Sequence, residues 1–161
     1  MRTGRPGKHA VLKYVVLAVI FIYIALLMVF TSGSNKPFKE VAVSVENALG
    51  QSDLQKMDGQ ALKRYYGLNS ADYDGVLLYS AQSSMSAEEV LLIKVKDDSQ
   101  VQEVTDAIDE YLRTQREDFE GYAPEEVKLL DDAQRSVRGD YIFLAVSGEA
   151  QRYKEAFDAS L

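Results

Sequence analysis

The chain of 161 residues contains no cysteine and a single histidine. The lack of cysteine excludes disulfide bonds, thiol catalysis, cysteine-built zinc sites and lipid attachment through a lipoprotein cysteine. The histidine, His9, precedes a long apolar segment, so it cannot join a Ser–His dyad or triad in the domain beyond that segment. The sequence therefore predicts no catalytic residue, no cofactor-binding residue, no metal ligand and no cofactor.

Charge is absent from Tyr14 to Asn35, and every residue from Tyr14 to Phe30 is apolar or aromatic. At about 1.5 Å of rise per residue, a helix from Val11 to Phe30 is about 30 Å long, which matches the hydrocarbon core of a bilayer. The sequence therefore predicts a transmembrane helix over residues 11–31, with membrane lipid as its partner.

Acidic residues are absent before Glu40, whereas basic residues flank the start of the apolar segment. Because cationic flanks stay in the cytoplasm during insertion, we expect a cytoplasmic tail over residues 1–10. A short linker over residues 32–37 and an exported domain over residues 38–161 then follow, in a single-pass protein of the cell membrane. A cleaved signal peptide is the alternative, although its apolar region usually has only about 7–15 residues. The flanking basic residues are Arg2, Arg5, Lys8 and Lys13.

The predicted exported part holds all 25 acidic residues of a chain whose net charge is −7. Such a surface repels the phosphates of nucleic acids and anionic lipids, so nucleic acid is not an expected partner. Basic partners stay open, as does an acidic surface that serves solubility alone. The length fits one domain that folds without metal or disulfide.

Helical spacing of apolar residues occurs in several segments of this part. Residues 38–49 form one helix, which Gly50 ends. A short helix through Tyr66 follows, which Asp58 caps and Gly67 ends. Next comes a long helix over 99–119, with Ser99 and Gln102 as a capping box. A short helix starts at Pro124 and continues through Leu130, and a closing helix covers about residues 148–159.

Runs rich in branched and aromatic residues predict two hairpins. Residues 76–79 and 90–95 flank a polar stretch, and residues 135–138 and 141–147 flank the turn at Gly139. Two hairpins separated by helices predict an α+β domain. We expect an antiparallel sheet of about four strands, with helices lying mainly on one face.

Acidic doublets are the features of the sequence that most resemble paired catalytic carboxylates. Adjacent side chains point in different directions, so a catalytic pair would have to converge from separate elements. The doublets are Glu88-Glu89, Asp97-Asp98 and Asp131-Asp132.

Tyrosines are plentiful outside the apolar segment. An aromatic cluster beside polar loops could stack on a glycan or clamp an extended peptide. Half-buried packing is the alternative interpretation. The tyrosines in question include Tyr65, Tyr66, Tyr73, Tyr79 and Tyr122.

Four segments resemble an uncharacterised bacterial family, the domain of unknown function 4358. They are the segment LKRYYGLN from Leu62, the predicted first hairpin, the end of the long helix at QREDF, and RGDYIFLAV from Arg138. The resemblance covers about residues 38–160 and implies an exported, membrane-tethered protein of Gram-positive bacteria, often a lipoprotein. This chain departs from the lipoprotein pattern because it lacks cysteine. The family carries no established activity, so the resemblance transfers no functional residue.

The sequence favours a non-enzymatic binding or scaffolding module at the bacterial cell envelope, with an envelope protein or a small ligand as partner. One alternative is an envelope glycan hydrolase that works through paired carboxylates. Another is a single-pass accessory subunit whose span packs against a larger membrane complex. No oligomeric state is predicted.

Overall fold

The computed structural model describes residues 8–31, 36–50 and 52–161, and it divides into two compact units, Met1–Gly33 and Ser34–Leu161. The first unit contains helix α1, Lys8–Thr31, so the predicted span coincides with a helix. Within the described residues, no helix combines the length and hydropathy that crossing a membrane requires. Most of the predicted tail and of the linker lies outside the described residues.

The second unit is built on a five-stranded antiparallel sheet of order β1-β2-β3-β5-β4. Both predicted hairpins are present, with Val76 opposite Ile93 in the first and Val137 opposite Ile142 in the second. The fifth strand, β1, has two residues and is too short to carry a periodic signal. The strands are β1 Gln55–Lys56, β2 Gly75–Ser80, β3 Glu89–Lys94, β4 Gln134–Arg138 and β5 Tyr141–Val146.

Helices cover both faces of this sheet, so the expectation of helices mainly on one face is wrong. Along β3, Leu91 and Ile93 pack towards α3, α4 and α5, whereas Val90 and Leu92 pack towards α2 and α6. Because β3 is apolar at both alternating sets of positions, both of its faces require cover. The helices are α2 Phe38–Leu49, α3 Gly59–Tyr66, α4 Gln100–Phe119, α5 Pro124–Asp131 and α6 Ala150–Ser160.

The ends of α3 follow the sequence prediction. The Asp58 carboxylate accepts hydrogen bonds from the backbone N–H groups of Gln60 at 3.1 Å and Ala61 at 3.0 Å. At the other end, Gly67 adopts a φ of 71°, the left-handed conformation that favours glycine. These two residues fix which side chains occupy the last turn of α3.

The start of α4 differs from the predicted capping box. Ser99 makes no side-chain cap hydrogen bond, because its backbone is already helical, with φ −64° and ψ −23°. Gln102 instead donates to Asp106 at 2.7 Å. In the turn before α4, the side-chain amide oxygen of Gln100 accepts a hydrogen bond from the backbone N–H of Lys96 at 2.9 Å.

Candidate functional site

A groove runs between α3, α4 and the loop that joins β2 to β3. It consists of two adjoining depressions of about 390 Å³ and about 250 Å³ that share Tyr65, Tyr111 and Gln115 as lining residues. The first depression lies between the end of α3 and the middle of α4, and the second lies against the serine-rich residues 80–86. We call this feature the tyrosine groove.

The local sequence explains why tyrosines line the groove. The caps of α3 place Tyr65 and Tyr66 in its last turn, where Tyr66 turns into the core and Tyr65 stays half-buried. On α4, Tyr111 follows the buried Ile108 by three positions and Gln115 follows Tyr111 by four, so they continue one stripe of the helix. Gln115 is a polar residue of this stripe and lines the groove.

The tyrosine rings contact one another in series. The ring of Tyr111 lies 4.4 Å from that of Tyr66, with a 37° angle between their planes. Tyr111 also stacks on Tyr65 at 6.2 Å and 27°. The pair with Tyr65 falls within the range of favourable aromatic separations, and the pair with Tyr66 is slightly closer. Tyr111 thus contacts one buried ring and one half-buried ring.

A buried carboxylate lies beneath the rings. Glu89, the first residue of β3, is 0 % exposed. Its Oε1 accepts a hydrogen bond from the hydroxyl of Tyr66, and its Oε2 accepts one from the hydroxyl of Tyr111 at 3.1 Å. The carboxylate therefore connects the core to a residue that lines the groove.

Burial dominates the electrostatics of this cluster. It raises the pKa of Glu89 from 4.5 to about 7, although the hydrogen bonds from Tyr66 and Tyr111 act in the opposite direction. Burial and the neighbouring carboxylate also raise the pKa of both tyrosine hydroxyls. The hydroxyls therefore stay protonated at neutral pH and remain available as donors.

The two carboxylates of the acidic doublet have different hydrogen-bond partners. Glu88, next to Glu89, accepts from the Ser147 hydroxyl at 2.9 Å. It lines an open depression of about 560 Å³ that shares Ala81, Gln82, Ser83 and Ser86 with the second depression of the groove, whereas Glu88 itself is not a groove-lining residue. This difference agrees with the expectation that a doublet is not by itself a catalytic pair. The doublet by itself does not distinguish Glu89 from Glu88, although a charged residue in phase with the apolar Leu91 and Ile93 is a signal for Glu89.

The other tyrosines of the predicted aromatic cluster lie apart from the groove lining. Tyr73 is buried in the core. Tyr79 donates to Glu46 at 3.1 Å. Tyr122 is 57 % exposed and contacts Phe119, with 5.8 Å between the ring centroids. The structure therefore brings Tyr65 and Tyr66 of α3 together with Tyr111 of α4.

Neutral hydrogen-bonding groups dominate the groove lining. Serine hydroxyls, the Gln115 amide and tyrosine rings form most of it. The carboxylate that lines it, Glu110, is exposed and ion-paired with Arg113. In the part of the chain that the structure describes, no group of three or more potential ligands is arranged to hold a metal ion.

Residues 47–147 match the model of a protein family described as Domain of unknown function (DUF4358). The chain belongs to this family. No curated protein and no solved structure matches the chain. The matched residues of the DUF4358 domain include the whole sheet and every member of the cluster that underlies the groove, whereas α1 and α6 lie outside the match.

Proposed function

We propose that this DUF4358 protein is a membrane-anchored binding module of the cell envelope, and that its tyrosine groove binds a neutral glycan. One observation carries the proposal: half-buried aromatic rings and mainly uncharged hydroxyl and amide groups line one groove on a strongly acidic domain. Aromatic faces pack against the apolar faces of sugar rings, and hydroxyl and amide groups bond to sugar hydroxyls. Such a lining suits an uncharged, polar polymer.

Charge supports a glycan over a phosphate-rich ligand. The Arg64 guanidinium lies 5.2 Å from the centroid of the Tyr65 ring and is a basic group of the lining, but Glu110 accompanies it there. The domain as a whole is acidic, so nucleic acids and polyphosphates are repelled before they reach the groove.

Sheet topology supports a glycan over an extended peptide. Peptides that bind in extended form commonly add a strand to a free sheet edge. Beside the groove, β2 is already paired with β1 through Ser80 and Tyr79, and with β3 along its length. Stacking and side-chain hydrogen bonds are therefore the interactions that this groove offers.

The arrangement of carboxylates supports binding over hydrolysis. Glycan hydrolysis ordinarily needs two carboxyl groups on either side of the scissile bond. Both oxygens of Glu89 accept tyrosine hydroxyls inside the core, and Glu110 is ion-paired with Arg113 on the surface. Neither group is arranged as a member of such a pair.

The proposal of a membrane anchor rests on the sequence of α1. The helix Lys8–Thr31 consists mainly of large apolar residues, and basic residues precede it. We propose that residues 11–31 span the membrane, with the N-terminus in the cytoplasm and the DUF4358 domain outside. Protease added to intact protoplasts should then degrade the domain. Survival of the domain until the membrane is permeabilised would overturn this topology.

Ligand binding is tested with the full chain in a mild detergent, with chitohexaose as the probe, by isothermal titration calorimetry. We expect Tyr65→Ala to weaken binding about tenfold, equivalent to about 1.4 kcal/mol, because a stacking surface is lost. Tyr65→Phe keeps the ring and should bind within about threefold of the wild type. Tyr122→Ala, which removes an exposed tyrosine outside the groove lining, is the matched control and should bind as the wild type. The proposal fails if the wild type does not bind chitohexaose, or if Tyr65→Ala and Tyr122→Ala bind equally.

A further inference from the structure

Glu89 is the one carboxylate that is fully buried among the residues whose side chains the structure describes. Of its two hydrogen-bond partners, Tyr66 is itself in the core, whereas Tyr111 is half-buried and lines the tyrosine groove. The contact with Tyr111 is therefore a direct link between a buried titratable group and the proposed binding surface.

The hydrogen bonds between Glu89 and the two tyrosines depend on whether the Glu89 carboxyl group is ionised or protonated. An ionised carboxylate only accepts, so it takes both hydroxyl protons at once, one on each oxygen. A protonated carboxyl group carries a proton that must itself be donated, and the two partners shown are hydroxyl groups that already donate to it. The arrangement in which both hydroxyl groups donate to Glu89 therefore belongs to the ionised state. Of the two, Tyr111 is half-buried and lines the groove, so its hydroxyl group is the one that can turn away from a protonated Glu89.

The surroundings of Glu89 place this change near neutral pH. Its register neighbours on the adjacent strands are Ser80 on β2 and Val146 on β5, neither of which titrates in this range. Helix α3 contributes Tyr66 and Tyr65, and α4 contributes Tyr111. From α5, Glu126 accepts a hydrogen bond from the backbone N–H of Ala87 at 2.7 Å. With no cation among the groups that affect it, burial raises the pKa of Glu89 to about 7.

We infer that Glu89 is a positioning residue for the tyrosine groove, which fixes the ring of Tyr111 when its carboxylate is ionised and releases that ring when it is protonated. This inference rests on the proposed function, because the groove is where the position of Tyr111 matters. A ring that is already fixed loses less side-chain freedom on binding, so the ligand binds more tightly. The module should hold glycan more tightly above neutral pH than below it.

The first experiment measures chitohexaose affinity of the full chain across the neutral range. We expect the wild type to bind about fivefold more tightly at about pH 8 than at about pH 5.5, since one aromatic side chain is ordered in advance. Glu89→Gln should bind with an affinity that does not change with pH. Glu88→Gln removes the neighbouring carboxylate, which bonds to Ser147 instead, and should keep the wild-type profile.

The second experiment needs no ligand. Ring signals of isotope-labelled tyrosine are followed by NMR over the same range, and the signal of Tyr111 is identified by its loss in Tyr111→Phe. We expect the Tyr111 signal to shift through neutral pH in the wild type and in Glu88→Gln, and to stay constant in Glu89→Gln. A purely structural role of Glu89 would also shift this signal, because Tyr111 is bonded directly to the titrating group, but it would leave chitohexaose affinity independent of pH.

The outcomes separate the inference from the proposed function. A Tyr111 signal that titrates alike in the wild type and Glu89→Gln overturns the inference, as does wild-type affinity that is independent of pH. Absence of chitohexaose binding together with a Glu89-dependent Tyr111 signal overturns the glycan function and supports the link between the two residues. If Glu89→Gln does not fold, Tyr111→Phe replaces it, because it keeps the ring and removes the hydrogen bond, and its weaker binding should be independent of pH.

Discussion

Replacing Glu89 by glutamine should change how the free energy of unfolding depends on pH. The wild-type carboxyl group is 0 % exposed, and burial raises its pKa from 4.5 to about 7. The folded state therefore binds the proton more tightly than the unfolded state does. The stabilisation from the protonated group is complete below about pH 4.5, is lost as pH rises to about 7, and changes no further above that.

The size of the effect follows from the same two values. A pKa that rises from 4.5 to about 7 on folding corresponds to about 3 kcal/mol, at 1.36 kcal/mol for each pH unit. Glutamine is neutral and similar in shape, so it resembles the protonated carboxyl group, with one acceptor oxygen left for the two tyrosine hydroxyls that both donate to Glu89. At about pH 4, Glu89→Gln should therefore match the wild type within about 1 kcal/mol. At about pH 8 it should be more stable by about 3 kcal/mol.

The assay is urea unfolding of the full chain in detergent at a series of pH values, followed by the near-ultraviolet circular dichroism of the tyrosines. Subtracting the two unfolding free energies removes the contribution of the other titrating groups that both proteins share. Glu88→Gln is the matched control, because it leaves Glu89 in place and should keep the pH dependence that Glu89 imposes between 4.5 and about 7. Parallel curves for the wild type and Glu89→Gln would refute the reasoning.

Three further predictions use the same urea titration. Gly75→Ala would place a Cβ atom 2.2 Å from the ring of Phe38, so it should lower the unfolding free energy, whereas Gly148→Ala meets open space and should change little. The expected loss for Gly75→Ala is about 1–3 kcal/mol, and equal effects of the two alanines would contradict the packing argument. Asp58→Ala removes both side-chain hydrogen bonds at the start of α3 and should cost about 1 kcal/mol, whereas an unchanged midpoint would show that the cap contributes nothing. Phe157→Ala should cost about 3–5 kcal/mol because a large core ring is lost, and a loss below about 1 kcal/mol would mean that the site collapses around the deletion.

Local chemistry made much of the domain predictable from sequence. Both hairpins, the α3 cap at Asp58 and the αL glycine at Gly67 depend on residues close together in the chain, and each was predicted from them. The capping box at Ser99 failed because the turn before α4 extends the helical backbone through that residue. Whether Ser99 caps α4 or belongs to the turn before it depends on how the chain leaves the preceding strand, β3.

Long-range features were not predictable in the same way. Strand β1 is two residues long and pairs with β2 only because the chain after α2 returns to that edge. The cover on both faces of the sheet depends on where α2 and α6 pack, which periodicity within one helix does not specify. The contact of Glu89 with Tyr66 and Tyr111 joins residues 23 and 22 positions apart, so no local pattern contains it.

The free-energy cost of burying Glu89 suggests a role for its cluster with Tyr66 and Tyr111 beyond packing. The free energy of unfolding of a domain is only about 5–15 kcal/mol. A buried charge that lowers it by about 3 kcal/mol at neutral pH is therefore a large destabilisation from one side chain. Packing alone does not require it, because the other β3 residues in phase with it, Leu91 and Ile93, are apolar. Sequences break such local rules mainly at functional positions. A structural role and a positioning role therefore differ in one measurable respect: if Glu89 only supports the core, the more stable Glu89→Gln protein should bind chitohexaose as well as the wild type at every pH. If Glu89 positions Tyr111, the gain in stability above neutral pH should accompany a loss of affinity there.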